Sequence, residues 1–378
     1  MARLPPQRRI VFTGDIFRIA RDQLRPNQTQ NILWLWRLLR RQIEMATGVS
    51  SRAVVWPTDS THETALAPGS VPNFLERMNL PRTVQGWAAA YDAVQLPDIV
   101  EGYLGGLFDG ALVIGFELPP VLRRFLDRSG TPYIDLVVHP VRFLDDITLA
   151  LATNCAAMRE IARRHCLSGD YLMTMAGLQS AAAGRGYTPD IPDASLLFLG
   201  QVRDDKTQIE GGRFRGPAEF IPTLRSLAAS HHGVVLKPHP LDKDNPGMLA
   251  LEMAFKEAKL LDDNFYKLMS TDHVRTVASL SSSTGVEARY FGKEAAFLLA
   301  PPFRLASLGE QGPESYLDLD WSLLAPDFWR DLMAPYFDCT PPDGMSIPFK
   351  PNRLRISLNA FWRFNEIDTD LAVAAYPR

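Results

Sequence analysis

The sequence predicts an α/β protein in two halves, each built on a parallel sheet covered by helices on both faces. Three observations lead there. Short β-branched or aromatic runs alternate with helical stretches along the chain. The polar clusters fall at the carboxyl ends of those runs, where open parallel sheets hold ligands. A Gly- and Pro-rich stretch, residues 184–192 (GRGYTPDIP), separates two rounds of the pattern. The 378 residues, 46% hydrophobic and 22% charged, suffice for two ordinary cores. The expected division is 1–190, 191–345 and a terminal segment 346–378 that packs back on the first half.

In chain order, Ile10–Thr13 reads as a strand that ends in Gly14-Asp15. Residues 31–46 read as a helix, because Ile32, Leu35, Trp36, Leu39 and Ile43 share one face. Ala53–Trp56 is the next strand, and Ala111–Phe116 (ALVIGF) is a buried one that ends at Glu117. Pro120 starts a helix that runs to about Ser129, with Gly130 after its end. Tyr133–Val138 leads into His139-Pro140. In the second half, Leu196–Leu199 ends at Gly200-Gln201 and residues 222–230 are helical. Gly233–Lys237 ends at Pro238-His239-Pro240, and Thr276–Leu280 ends in Ser281-Ser282-Ser283. Residues 352–367 read as a final helix.

Composition excludes several classes. Forty basic against 43 acidic residues leave a net charge of −3, so no basic field recruits nucleic acid. Three cysteines without C-x-x-C spacing exclude a disulfide scaffold and a zinc ribbon, and a reducing, cytoplasmic setting is expected. No apolar run approaches the roughly 18–20 residues that span a bilayer. The helix with Trp34, Trp36, Arg37, Arg40 and Arg41 reads as a core helix with exposed arginines, or as a peripheral contact with an anionic membrane surface. Phosphate-loop, dinucleotide-fold and nucleophile-elbow motifs are absent.

Five stretches carry candidate chemistry. In VVLKPHP (234–240) a strand delivers Lys237 and His239 to its end, where a point charge and an imidazole suit a phosphate. The competing reading is a structural loop. In SSSTGVEA (281–288), Ser281, Ser282, Ser283 and Thr284 stand where a helix starts, and free N–H groups there favour an anion. The plainer reading is that one hydroxyl caps the helix. Glu287, one turn in, is in place for a ribose hydroxyl or is a solvated first-turn acid. In GQVRDDKT (200–207), Gln201 closes a strand, and Asp205 offers a nucleophile or base in what is otherwise a solvated loop. In the first half, Glu117 ends an apolar strand, where burial raises a carboxyl pKa and suits an acid/base. Arg142, in HPVRFLDD (139–146), offers a bidentate clamp for a carboxylate. With these cations available, no metal is expected.

GQVRDDKT, KPHP and SSSTGVEA, in that order, resemble the retaining β-Kdo transferases of bacterial capsule and lipopolysaccharide assembly (Kdo is 3-deoxy-D-manno-oct-2-ulosonic acid). VFTGD, GFELPP and HPVRFLDD resemble the branch that modifies O-antigen chains. The resemblance implies a GT-B-like fold, two Rossmann-like domains with parallel sheets facing a central cleft. It also implies a CMP-β-Kdo donor, a glycan acceptor (lipid-linked polysaccharide), no cofactor or metal, and retention by double displacement. Matched position by position, Asp205 is the implied nucleophile, while His239 and Ser281 to Ser283 hold the CMP phosphate. Glu117 is the candidate acid/base, and Arg142 the candidate partner of the Kdo carboxylate. Two other readings stand beside this one: another nucleotide-sugar enzyme (an inverting CMP-sugar transferase or a UDP-sugar epimerase), and a non-catalytic polysaccharide-binding module.

Overall fold

A computed structural model describes residues 9–19, 28–55, 74–301, 304–310, 312, 315–342 and 344–358. Trp56 and residues 359–367, which the sequence reading placed in a strand and the final helix, lie outside them. The strands are β1 (Arg9–Gly14), β2 (Ser51–Ala53), β3 (Ala111–Phe116), β4 (Tyr133–Val138), β5 (Leu149–Thr153), β6 (Ser195–Leu199), β7 (Ile209–Glu210), β8 (Arg213–Phe214), β9 (Val234–Lys237), β10 (Lys259–Leu260), β11 (Val274–Ser279), β12 (Glu294–Phe297) and β13 (Leu317–Asp318). They form a six-stranded sheet in the order β13-β5-β4-β3-β1-β2, a five-stranded sheet in the order β10-β9-β6-β11-β12, and the hairpin β7-β8.

Alternation along the strands decides what each face buries. Ile10, Phe12, Leu112 and Ile114 face the helix Gln28–Thr47, whose buried Ile32, Leu35, Trp36, Leu39 and Ile43 form one stripe. Val11, Ala111 and Val113 face the opposite way, onto Trp87, Val100, Leu104 and Val121 of three shorter helices. With both faces covered, β3 and β4 are buried along their full length. The second sheet repeats the arrangement: Leu197, Val235 and Val277 serve one core, and Leu196, Phe198, Leu236 and Ala278 the other. Arg37, Arg40 and Arg41 are exposed on a helix whose apolar stripe is core. No described helix is long and apolar enough to cross a membrane.

The five-stranded sheet is parallel throughout. The six-stranded one departs from the all-parallel expectation, because β4-β5 and β5-β13 are antiparallel. No helix separates β4 from β5, so the chain turns back directly instead of crossing over. Residues 317–333, which the sequence reading assigned to the second half, complete the first sheet. β13 supplies its edge, and Phe328, Trp329, Leu332 and Met333 of the helix Pro326–Met333 join the core of Gln28–Thr47. The short helix Arg353–Ser357 adds Leu354 to the same core, and Asp146 caps it by accepting from the Leu354 and Arg355 N–H groups at 2.7 and 3.0 Å.

His139 has a structural role. The Val141 N–H donates to its Nδ1 at 3.1 Å, so Nε2 carries the proton and donates to Asp318 Oδ1 at 2.8 Å, tying the end of β4 to β13. If residues 317–333 complete the first core, Trp329→Ala, a 0%-exposed side chain, lowers unfolding free energy by about 3–5 kcal/mol. Ile356→Ala, at 75% exposure, stays within about 0.5 kcal/mol of the parent. Urea unfolding of the two variants checks this, and a Trp329→Ala midpoint equal to the parent's contradicts the packing described.

Candidate functional site

The carboxyl ends of β6, β9 and β11 meet through a hydrogen-bonded frame. Gly200, after β6, lies so close to the end of β9 that a Cβ there would come within 3.1 Å of the His239 nitrogen and 3.3 Å of the Lys237 oxygen. Gln201 is buried behind it. Its Oε1 accepts from the Ser281 N–H at 2.8 Å, its Nε2 donates to Thr207 Oγ1 at 3.2 Å, and its carbonyl accepts from Asn245 Nδ2 at 3.2 Å. Arg203 grips Asp242 from the same side: Nε lies 2.9 Å from Oδ1, and the main-chain N–H donates to Oδ2 at 2.7 Å. Burial opposes charge on Asp242, but Arg203 outweighs it and holds the carboxyl below its ordinary value.

Within this frame Asp205 caps the 3-10 turn Lys206–Gln208. One carboxylate oxygen accepts from the Thr207 N–H at 2.9 Å and from the Thr207 hydroxyl at 3.0 Å. Ser281 Oγ donates to the Thr207 carbonyl at 2.6 Å, which locks the turn against β11. Ser282 caps the helix Ser283–Tyr290 by accepting from the Thr284 N–H at 3.3 Å, and its hydroxyl lies 2.6 Å from that of Thr284. The capping reading therefore holds for Ser282, and Ser283 opens the helix beside it. His239 Nδ1 accepts from the Leu241 N–H at 3.1 Å, which puts its proton on Nε2. Lys237 is buried at the end of β9.

From the first half, Glu117 follows β3 in a left-handed conformation (φ 54°) and reaches the same turn. Lys206 Nζ lies 2.6 Å from Glu117 Oε2, the two side chains being 15% and 19% exposed. The carboxylate is therefore half-screened and ion-paired, not sealed in an apolar pocket. Two buried acids that sequence reasoning did not select stand nearby. Asp15, after β1, accepts from the Trp87 indole at 2.8 Å and the Phe17 N–H at 3.1 Å. Asp135, on β4, accepts from the Leu118 N–H at 2.9 Å and the Tyr316 hydroxyl at 2.8 Å. Burial raises both carboxyls, and Lys206 works against that rise in each. The Tyr91 hydroxyl is driven well above its ordinary value by burial and then by Asp15, Glu117, Asp135 and Asp205. These four acids, Tyr91 and Lys206 thus share one electrostatic neighbourhood. Among the described residues no group of His, Cys, Asp and Glu is arranged to hold a metal ion.

The segment that carries Asp205 is fastened to the first half. Gly211 and Gly212, both at positive φ, turn the β7-β8 hairpin. Phe214 rests on the Trp87 ring at 5.6 Å, and the Gly212 N–H donates to Asp92 Oδ2 at 3.1 Å. A Gly-Gly pair inside GQVRDDKTQIEGGRF was the available signal for this hairpin. Asp15 was legible only as the end of a strand, and Trp87 and Tyr91 carried no signal at all.

Glu287 and Arg142 meet, but not around open space. Glu287 Oε1 accepts from the Arg142 N–H at 2.7 Å and the Tyr266 hydroxyl at 2.9 Å, and the side chain is buried. A ribose hydroxyl would have to displace one of these donors. Burial pushes the Glu287 carboxyl up to about 7 against the pull of its donors, and burial lowers the Arg142 guanidinium to about 10. Glu117 lies within electrostatic range of Arg142.

The sequence pattern of a family described as "Capsule polysaccharide biosynthesis protein" matches residues 189–318, which include Asp205, His239 and Ser281 to Ser283. No curated protein matches the chain significantly. Similar solved structures include the β-Kdo 2,7 transferase of Thermosulfurimonas dismutans KpsC, at 15% identity and TM-score 0.33, over 64% of this chain and 80% of that one. The β-Kdo 2,4 transferase of the same protein aligns at 16% identity and TM-score 0.33, over 59% and 80%.

Glu287 sets a pH dependence. Its folded-state value is above its ordinary one, so the stability it contributes is whole below about pH 4.5. That stability is lost as pH rises through about 7, roughly 3 kcal/mol in all. Urea titrations at stepped pH should show this decline in the parent and its absence in Glu287→Gln. Parallel curves for the two proteins would contradict it.

Proposed function

We propose that the chain is a retaining β-Kdo glycosyltransferase of bacterial surface-polysaccharide assembly, with a GT-B-like pair of lobes closing on CMP-β-Kdo. One observation carries the reading: Glu117, from the first half, is ion-paired at 2.6 Å with the residue that follows Asp205. Two carboxylates from opposite halves thereby address one place. The capsule-biosynthesis match over residues 189–318 supports the same reading from sequence.

In the proposed reaction an Asp205 oxygen attacks C2 of Kdo, and the bond from C2 to the phosphate oxygen breaks. Its electron pair leaves with CMP. Lys237, the His239 Nε2–H and the Ser281–Thr284 turn stabilise the departing phosphate, with the partial positive charge of the helix that begins at Ser283 behind them. Thr207 holds Asp205 on the opposite face through two hydrogen bonds. An acceptor hydroxyl then attacks C2 and gives its proton to Glu117, while the ester bond breaks and returns the Asp205 carboxylate. Two inversions restore the configuration. Phosphate charge is met by protein cations, so the proposal needs no metal. The acceptor is a glycan, lipid-linked at the inner face of the cytoplasmic membrane.

Incubation with CMP-Kdo should add the mass of one Kdo residue to the intact protein, and peptide mapping should place it on Asp205. Asp205→Ala loses the adduct and lowers turnover roughly 10³-fold or more. Glu117→Gln still forms the adduct but passes it to acceptor slowly, so labelled protein accumulates. Normal turnover by Asp205→Ala overturns the proposal, and a preference for UDP over CMP in thermal shift points to a UDP-sugar enzyme.

A further inference from the structure

Within that reading, the sugar brings a demand the four acids cannot meet. Kdo is an ulosonic acid, so its carboxyl group is bonded to the anomeric carbon itself. Whatever attacks that carbon is pressed against this carboxylate. The ground is already occupied by Asp15, Glu117, Asp135 and Asp205, all felt by Tyr91. A further negative charge there is repelled unless a cation lies in reach of both the nucleophile and its partner.

The geometry points to Lys206 as the cation that receives the donor's carboxylate, and so as the residue that selects a sugar acid over a neutral sugar. It adjoins Asp205 in the chain and touches Glu117 in space. An ammonium has three N–H donors, and Glu117 engages one side of it. A point charge on a flexible stem can be shared between Glu117 and an arriving carboxylate without losing alignment, as a planar guanidinium cannot.

The other cations of the neighbourhood are committed elsewhere. Arg123 serves Asp135 at 3.8 Å and donates to the Tyr133 hydroxyl at 3.2 Å. Arg18 lies over the Trp87 ring at 5.2 Å. Arg142 is the candidate from sequence. Its guanidinium is fully buried, and the carboxylate that chiefly faces it is Glu287, ahead of Glu117. Sharing Lys206 with the sugar also loosens its hold on Glu117 as the acceptor arrives, when Glu117 must accept a proton.

Calorimetric titration with CMP and with CMP-Kdo tests this, on an Asp205→Asn parent that cannot form the adduct and on its Lys206→Met, Lys206→Arg and Glu117→Gln derivatives. CMP lacks the sugar acid and reports the nucleotide subsite and the integrity of the fold. The expectation is that Lys206→Met weakens CMP-Kdo by roughly 10- to 100-fold and leaves CMP unchanged. Lys206→Arg recovers part of the loss, and Glu117→Gln keeps donor affinity. Unchanged donor affinity in Lys206→Met overturns the assignment, as does an equal loss for CMP or an equal donor loss in Glu117→Gln. A parent protein that binds CMP-Kdo no better than CMP overturns the transferase reading together with it.

Discussion

Like charge held in a small space is the constraint on which the site depends. Asp15, Glu117, Asp135 and Asp205 converge from both halves, and each raises the cost of ionising Tyr91. Such a gathering persists only where each acid has its own compensation. Asp15 has an indole and an amide, Asp135 an amide and a phenol, Asp205 a threonine, and Glu117 an ammonium. Lys206 is common to the arrangement, since it also moderates Asp15 and Asp135. Carboxyls gathered and perturbed in this way mark a candidate functional site.

The halves are interlocked rather than merely adjacent. The β7-β8 hairpin leaves the second sheet to rest on Trp87, and Trp87 in turn holds Asp15. In the other direction, the loop after β4 crosses to the helix Ser283–Tyr290, where Glu287 binds the Arg142 amide. Residues that orient Asp205 and Glu117 are thus built from both sides, and a shift in one half moves the side chains of the other.

Much of the scaffold was readable in the sequence, because strand alternation and helical stripes are local. The runs at 10–13, 111–116, 133–138, 196–199 and 276–280 each correspond to a strand, and residues 31–46 to a helix. Antiparallel β5 escaped, since alternation says nothing of direction, and a two-residue β13 has no periodicity to read. Glu117 stood out because it ends a strand, and Asp205 because of the GQVRDDKT motif that carries it. Their meeting through Lys206 joins residues far apart in the chain, and no spacing rule encodes that. Trp87 and Tyr91 looked like ordinary helix residues, and only tertiary packing gives them their place beside Asp15. His139, at the end of β4, is spent on Asp318, a partner that lies far along the chain and that no local pattern announces.

The late arrival of β13 has a consequence for biogenesis. While the ribosome makes the entire second sheet, β5 has no neighbour on its outer side, His139 has no carboxylate, and the stripe on Gln28–Thr47 lacks Trp329. An uncovered strand border of this kind invites pairing with other chains. The nascent protein therefore has an interval of vulnerability that closes only when residues 317–333 emerge, and chaperone demand should concentrate there.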